Sequence, residues 1–190
     1  AARTNSGTLV VDDVTRGILA IGEADSYTIG LNTGDYVVLN AVEIANPSLA
    51  PRVTIFAPDG SQFRDYSGSF VANGEFVAPQ TGLYSVLVRE RFADNSGSYE
   101  LHYARVPETN TGGVLGNDTV TVGALVPGEI DSYRFNAAAG DYVVLNAVEI
   151  DGTSMEPRVQ IFAPDGSEFT DYRGSFVADG EFVAPQTGLY

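Results

Sequence analysis

The chain has 190 residues, of which 44% are hydrophobic and 18% charged, a composition that is typical of a globular protein and argues against wholesale disorder. Its net charge of −15 disfavours nucleic acid as a partner, and the absence of cysteine excludes disulfides and thiolate metal sites. No apolar run approaches the ~20 residues of a membrane helix, so we expect no membrane insertion.

The first hundred residues contain short strand signals separated by turn residues. Tyr36 to Val42 is apolar on both faces apart from Asn40, which predicts a central strand between two layers and leaves the Asn40 amide in need of partners. Pro58-Asp59-Gly60 follows the run PRVTIF, and this Pro and Gly spacing predicts a hairpin. About eight short strands of this kind indicate an antiparallel sandwich.

The last two strand signals of this half lie in the runs SVLVRER and SYELHYAR, on either side of the turn DNSG. Apolar residues alternate with other residues from Tyr84 to Arg89 and from Tyr99 to Ala104, the period of two that predicts strands with one buried face. His102, the one histidine of the chain, is predicted on the polar face of its strand.

The second half of the chain repeats the first. At a shift of 106 residues, residues 1–84 match residues 107–190 at 53 of 84 positions, and 41 of these matches lie in the last 51 positions. The run GDYVVLNAVEI, for example, occurs at 34–44 and again at 140–150. A period of this length suits a self-contained domain better than a solenoid unit of roughly 20 to 50 residues.

We therefore expect an all-β protein of two tandem antiparallel, jelly-roll-like β-sandwich domains. Repeat 1 spans residues 1–106, a short linker rich in Pro, Thr and Gly spans about 106–113, and repeat 2 spans 107–190. Repeat 2 lacks counterparts of the last two strands of repeat 1. We expect these strands to follow in a longer parent protein or to come from a neighbouring chain.

An ordered series of motifs resembles the bacterial pre-peptidase C-terminal domain, in tandem. It comprises Gly-Glu-x-Asp-Ser-Tyr at 22–27 and 128–133, the Gly-Asp-Tyr-Val-Val-Leu strand, the Ile-Phe-Ala-Pro-Asp-Gly hairpin, Thr-Gly-Leu-Tyr, and Gly-Ser-Tyr-Glu-Leu at 97–101. The resemblance implies a jelly-roll-like sandwich that serves as a secreted accessory or binding module, in some members calcium-dependent, and not as a catalyst.

No pattern in the sequence predicts an enzyme. A hydrolytic triad needs a base beside its nucleophile, and an isolated polar-face histidine such as His102 is more often simply solvated. Glu23 with Asp25, and Glu129 with Asp131, are carboxylates two positions apart, but an exposed strand start explains them as well as acid and base chemistry does.

Calcium is the cofactor that the residue types favour, because it binds several oxygen ligands and acids cluster near the predicted turns. The candidate ligands are Asp12, Glu23, Asp25, Asp118, Glu129 and Asp131. Further turn acids are Asp59, Asp65, Asp165 and Asp171, for which a role as turn residues or solvated charge is the alternative.

Two other surface features concern carbohydrate. Asn117-Asp118-Thr119 is a glycosylation sequon beside the Thr-rich linker. Tyr66 and Tyr172, just after the hairpins, are candidate exposed rings for a carbohydrate platform, with a hairpin-packing role as the alternative.

These observations predict a non-catalytic extracellular or cell-surface protein. The leading hypothesis is a tandem-repeat subunit of a fibre, stalk or filament whose partners are copies of itself, because closely similar repeats favour packing of like against like. The alternative is an accessory module of a secreted hydrolase that binds a matrix protein or a polysaccharide.

Overall fold

The computed structural model describes residues 5–45, 48–107, 112–152 and 155–190. Within these ranges the regular elements are all strands, and none of the described residues forms a helix able to span a membrane. The chain divides into two compact units: unit 1 comprises residues 1–111 and 122–132, and unit 2 comprises 112–121 and 133–190. The all-β prediction is confirmed.

The described residues of unit 1 form nine strands: β1 Ser6–Thr8, β2 Val14–Leu19, β3 Ala24–Leu31, β4 Tyr36–Glu43, β5 Pro51–Phe56, β6 Gln62–Ser67, β7 Val71–Val77, β8 Gly82–Glu90 and β9 Gly97–Val106. They form a five-stranded sheet in the order β1-β3-β8-β5-β6 and a four-stranded sheet in the order β2-β9-β4-β7. All neighbours pair antiparallel except β1 with β3, which pair parallel.

The core of unit 1 lies between the two sheets. Alternate residues of each strand point into it, so that on β4 the side chains of Val37, Leu39 and Ala41 are 0% exposed. Tyr84 and Val86 of β8 are equally buried. The predicted period is therefore confirmed for β8. On β9 Tyr99 and Leu101 are buried as predicted, but His102 and Ala104 on the opposite face are buried as well, so the prediction of a single buried face is wrong for this strand.

The predicted hairpin at Pro58-Asp59-Gly60 joins β5 to β6. Gly60 has a φ of 84°, and the Asp59 carboxylate accepts a 2.9 Å hydrogen bond from the backbone N–H of Ser61. Asp165 and Gly166 reproduce this turn in the second repeat, with a φ of 83° at the glycine. The Pro-Asp-Gly sequence thus forms the same turn in both repeats, because its residues determine the backbone conformation locally.

In unit 2 the part of the chain that the structure describes forms eight strands: β10 Gly113–Val114, β11 Tyr133–Arg134, β12 Asn136–Ala137, β13 Tyr142–Val148, β14 Arg158–Phe162, β15 Glu168–Arg173, β16 Val177–Val183 and β17 Gly188–Leu189. They pair two by two: β10 with β11, β12 with β17, β13 with β16 and β14 with β15. Its core includes Phe182, Ile161 and Tyr190. The ring of Phe135 stacks on that of Tyr190, with 5.4 Å between the ring centroids.

The predicted domain boundaries, 1–106 and 107–190, stay predictions. Residues 108–111 of the predicted linker lie outside the described residues. Residues 122–132 belong to the second repeat by sequence, but they pack as part of unit 1.

Candidate interaction site

Two turns, one in each repeat, have the same sequence signature and the same geometry. In the first turn, Ala20–Glu23, the Glu23 N–H donates to the Ala20 carbonyl at 3.0 Å, and the Glu23 Oε2 accepts from the Ala20 N–H at 2.7 Å. In the second turn, Val126–Glu129, the equivalent distances are 3.0 and 2.8 Å. Gly22 and Gly128 hold the same position, with φ of 76° and 83°.

The second turn packs within unit 1 against the four-stranded sheet. Asn40 Nδ2, on β4, donates a 3.0 Å hydrogen bond to the Gly128 carbonyl. A Cβ on Gly128 would lie 2.2 Å from Val42 Cγ2 and 3.2 Å from His102 Cδ2, closer than side-chain atoms pack. The contact therefore requires both the left-handed backbone of a glycine and its missing side chain.

The surface under this turn is formed by side chains that point away from the core. We call Asn40, Val42, His102 and Ala104, on β4 and β9, the outer face of unit 1. Their exposed fractions are only 9%, 4%, 4% and 6%. The sequence predicts a layer on both sides of β4, and in unit 1 the partner of the Asn40 amide is the Gly128 carbonyl.

A small cleft lies beside this contact. Its volume is about 60 Å³, and its lining residues are Asp12, Asp13, Val14, His102, Tyr103, Ala104, Glu129, Ile130 and Asp131. Pockets that enclose an organic ligand have volumes of roughly 300 to 1,000 Å³, so this cleft has room for a few water molecules only.

The sequence predicted His102 on a solvated strand face, but its side chain lines the cleft and is only 4% exposed. Burial lowers the pKa of His102, and the negative charges of Glu100 and Glu129 act in the opposite direction. His102 Nε2 lies 3.6 Å from Glu100 Oε2 and makes no hydrogen bond to the described part of the chain. The imidazole therefore acts as a buried packing group under the second turn.

The predicted calcium ligands lie in different surroundings. Asp12, Glu129 and Asp131 line the cleft, whereas Asp118 lies on an exposed turn of unit 2. Glu23 accepts a hydrogen bond from its own turn. Among the described residues, no three His, Asp or Glu side chains converge into a group that could hold a metal ion. The calcium site stays a prediction.

Asp25 is the candidate ligand whose position the sequence least suggested. Its side chain is 0% exposed, and its carboxylate accepts hydrogen bonds from Asn5 N at 2.7 Å, from Asn5 Nδ2 at 3.2 Å and from Tyr99 Oη at 2.7 Å. Both oxygens are thereby engaged in holding β1 and β9 to β3.

The two candidate platform tyrosines lie against glycines of the neighbouring strand. Tyr66 Oη donates to the Glu75 carbonyl at 2.7 Å, and Tyr172 Oη donates to the Glu181 carbonyl at 2.8 Å. A Cβ on Gly74 would lie 2.6 Å from the ring of Tyr66. This packing between β6 and β7, which belong to different sheets, favours a packing role for the ring over a carbohydrate platform.

The sequon residue Asn117 is exposed, on a turn of unit 2 where Thr119 Oγ1 donates to the Gly116 carbonyl at 2.7 Å. Glycosylation at Asn117 stays a prediction that this exposure favours.

A second, open cleft of about 340 Å³ lies in unit 2 between Glu156 and Ser175. Arg158 and Arg173 line it, but both guanidinium groups pair with Asp171, at 3.0 and 2.7 Å. Because Asp171 offsets their charge, the two arginines do not make this cleft a candidate anion site.

No known protein-family model matches the chain, and no curated protein matches it. Among solved structures, the chain is similar to the pre-peptidase C-terminal domain of collagenase from Bacillus anthracis, with 14% sequence identity and a TM-score of 0.46. The similarity covers 54% of this chain and 98% of that one. At these values it assigns no activity or ligand to this chain.

Proposed function

We propose that the chain is a non-catalytic structural protein of the cell exterior, a tandem-repeat subunit of a fibre, stalk or filament. The observation that carries this proposal is the hydrogen bond between Asn40 and Gly128, 88 residues apart, through which a turn of repeat 2 covers the outer face of unit 1. Both partners of this contact belong to elements that the sequence contains twice.

Such a contact is heterologous, because the surface that donates differs from the surface that accepts. Heterologous contacts do not close on themselves unless a rotation brings them into a ring, so they extend into open arrays. A protein that contains the Asn40 strand and the Gly128 turn in each of its two repeats is therefore suited to form extended assemblies.

The chemistry of the described residues is consistent with a role without catalysis. The one histidine is buried under the second turn, and the cleft beside it is too small for an organic substrate. The tyrosines proposed as platforms instead donate hydrogen bonds to backbone carbonyls of β7 and β16. What remains is a sandwich that presents a sheet face and a turn.

The exterior location rests on the family resemblance and on the exposed sequon at Asn117. The acidic surface, with a net charge of −15, would be screened by salts or divalent cations outside the cell. Calcium would in this view promote assembly by reducing repulsion between subunits.

Electron microscopy of the purified chain at high concentration, with and without calcium, tests the proposal. We expect elongated assemblies, and we expect sedimentation to show a mass that increases with concentration. Monodisperse monomers under both conditions would overturn the proposal. Monomers that bind collagen or a polysaccharide in a pull-down would instead indicate the accessory module of a secreted hydrolase.

A further inference from the structure

The strand of unit 2 that corresponds to the β4 part of the outer face, β13, is exposed on the equivalent side. On β13 the side chains of Tyr142, Val144 and Val148 are 64%, 53% and 52% exposed, and Ile150 just beyond the strand is 73% exposed. Val42, the counterpart of Val148, is 4% exposed. Water-exposed apolar side chains in a row on one strand mark a surface that a partner covers.

This row has the same sequence as the strand that is covered in unit 1. Residues 140–150 repeat residues 34–44 without a difference, so Asn146 corresponds to Asn40 and Val148 to Val42. Both strands are also in the same antiparallel register with their neighbour, because Asn146 pairs with Asp179 as Asn40 pairs with Asn73. The backbone therefore presents Asn146 as it presents Asn40.

The first turn is the complementary element, and it is open. A Cβ on Gly22 would meet no atom within 4 Å, whereas a Cβ on Gly128 would overlap Val42. Ile18 and Ile21 beside it are 68% and 66% exposed. Ala20–Glu23 has the hydrogen bonds and the positive φ of the turn that is already docked in unit 1.

We infer that the first turn of one copy docks on β13 of a second copy, with Asn146 Nδ2 donating to the Gly22 carbonyl. The occupant of the exposed face is thus a second copy of this chain. The inference rests on the proposed function and specifies its interface. The Asn40 contact with Gly128 in unit 1 is the template, since it joins an asparagine in the same strand register to a glycine with the same positive φ.

Each copy has one free turn at Gly22 and one free face at Val148, so the contact has a direction. A copy that is bound through its turn still presents its face to the next copy. The result is a head-to-tail series that grows at both ends. A single turn on a single strand is a small interface, well below the roughly 1,600 Å² of a standard one, so we expect association to be weak and to depend on concentration.

Two single substitutions in the full chain test the contact. Gly22→Asn keeps a residue type that tolerates positive φ but adds a side chain where Val148 would lie. Val148→Arg places a long charged side chain on the face. We expect each variant to remain monomeric in analytical ultracentrifugation at concentrations where the parent chain associates.

Two matched controls carry the same substitutions elsewhere. Gly60→Asn changes a glycine with φ of 84° that also has open surroundings, and Leu83→Arg changes a side chain that is 59% exposed on β8. Both controls should associate as the parent does. Circular dichroism and thermal melting establish that all four variants are folded.

Mixing the two defective variants gives a sharper result. The Val148→Arg chain retains its turn and the Gly22→Asn chain retains its face, so an equimolar mixture should form dimers and nothing larger. If the parent forms assemblies that both variants also form, this interface is wrong and the structural function stands. If the parent is monomeric at the highest concentration, the structural function is itself overturned, and the inference with it.

Discussion

Tyr99 Oη donates a 2.7 Å hydrogen bond to Asp25 Oδ2 in the interior of unit 1, where both side chains are 0% exposed. The Tyr99 hydroxyl has one proton, and it points at the carboxylate. In the 2.7 Å hydrogen bond between the two tyrosines, Tyr27 Oη is therefore the donor and Tyr99 Oη the acceptor. Gly17 makes room for this chain of bonds, because a Cβ there would lie 2.4 Å from the Tyr99 ring. A buried carboxylate is tolerated here because donors surround it.

Replacement of Tyr99 by phenylalanine should destabilise unit 1 by about 1 to 3 kcal/mol, because it removes the hydroxyl that pairs with the Tyr27 hydroxyl and leaves the buried Asp25 Oδ2 with only the 3.2 Å bond from Asn5 Nδ2. Denaturant unfolding measures the loss. Tyr103→Phe is the matched control, since Tyr103 is 4% exposed on the same strand and does not contact Asp25 through a hydrogen bond of this network. Equal losses in the two variants would contradict the role assigned to the network.

The stability of unit 1 should decrease as the pH falls below about 6.5, the ordinary pKa of histidine. Burial lowers the pKa of His102 in the folded chain, so the unfolded chain binds the proton first and is favoured as the pH falls toward the folded-state value. Glu100 and Glu129 oppose this effect and Arg16 adds to it. Thermal melting between pH 7.5 and 5 measures it.

His102→Gln is the control for this pH dependence. The variant retains a polar side chain of similar size but cannot be protonated in this range, so its melting temperature should change less between pH 7.5 and 5 than that of the parent. A parent and a variant with the same pH profile would refute the assignment to His102, which is the only histidine in the chain.

Gly74→Ala should destabilise unit 1 by roughly 1 to 3 kcal/mol, the usual cost of overpacking. The new Cβ would lie 2.6 Å from the Tyr66 ring and displace the hydroxyl that donates to Glu75. Gly30→Ala is the matched control, because a Cβ on Gly30 meets nothing within 4 Å and its strand favours a side chain. Unfolding midpoints in urea distinguish them, and a loss at Gly30 as large as at Gly74 would count against the packing explanation.

Arg52→Gln should destabilise unit 1 by less than about 1 kcal/mol at neutral pH, since both partners of the pair with Asp65 are partly exposed to solvent. The hydrogen bonds from Arg52 lower the pKa of the Asp65 carboxyl. The stabilisation is therefore present above the ordinary pKa of 3.8 and is lost as the pH falls through the lowered value. Urea unfolding at pH 7 and at pH 2.5 measures the difference.

Arg64→Gln is the control for the removal of one positive charge. The Arg64 guanidinium lies 4.1 Å from the centroid of the Phe63 ring and donates to a backbone carbonyl. The loss of unfolding free energy in this variant should therefore be similar at pH 7 and at pH 2.5. An acid dependence equal to that of Arg52→Gln would show that net charge and not the Asp65 pair is responsible.

Much of the local structure could be predicted from the sequence. The Pro-Asp-Gly turns, the period of two in β8 and the apolar strand at Tyr36–Glu43 depend on neighbours within a few residues, so short-range chemistry determines them. About eight strands were expected in the first repeat, and its described residues form nine. The three-residue β1 is too short to have an alternation that sequence could reveal.

The side chains of the candidate sites were less predictable. Asp25 was expected at an exposed strand start, yet it is buried because Asn5 and Tyr99, 20 and 74 residues away, converge on it. His102 was expected in solvent, yet a turn that includes Gly128 covers it. Long-range partners decide both positions, and one strand pattern contains no information about them.

The run GDYVVLNAVEI separates the two contributions most clearly, because the chain contains it twice. By itself it determines a strand, with Val37 and Leu39, like Val143 and Leu145, turned toward a core. Only the tertiary structure decided that Val42 is 4% exposed and Val148 is 52% exposed. Backbone geometry determines where a side chain points, but the burial of that side chain depends on which distant segment packs over it.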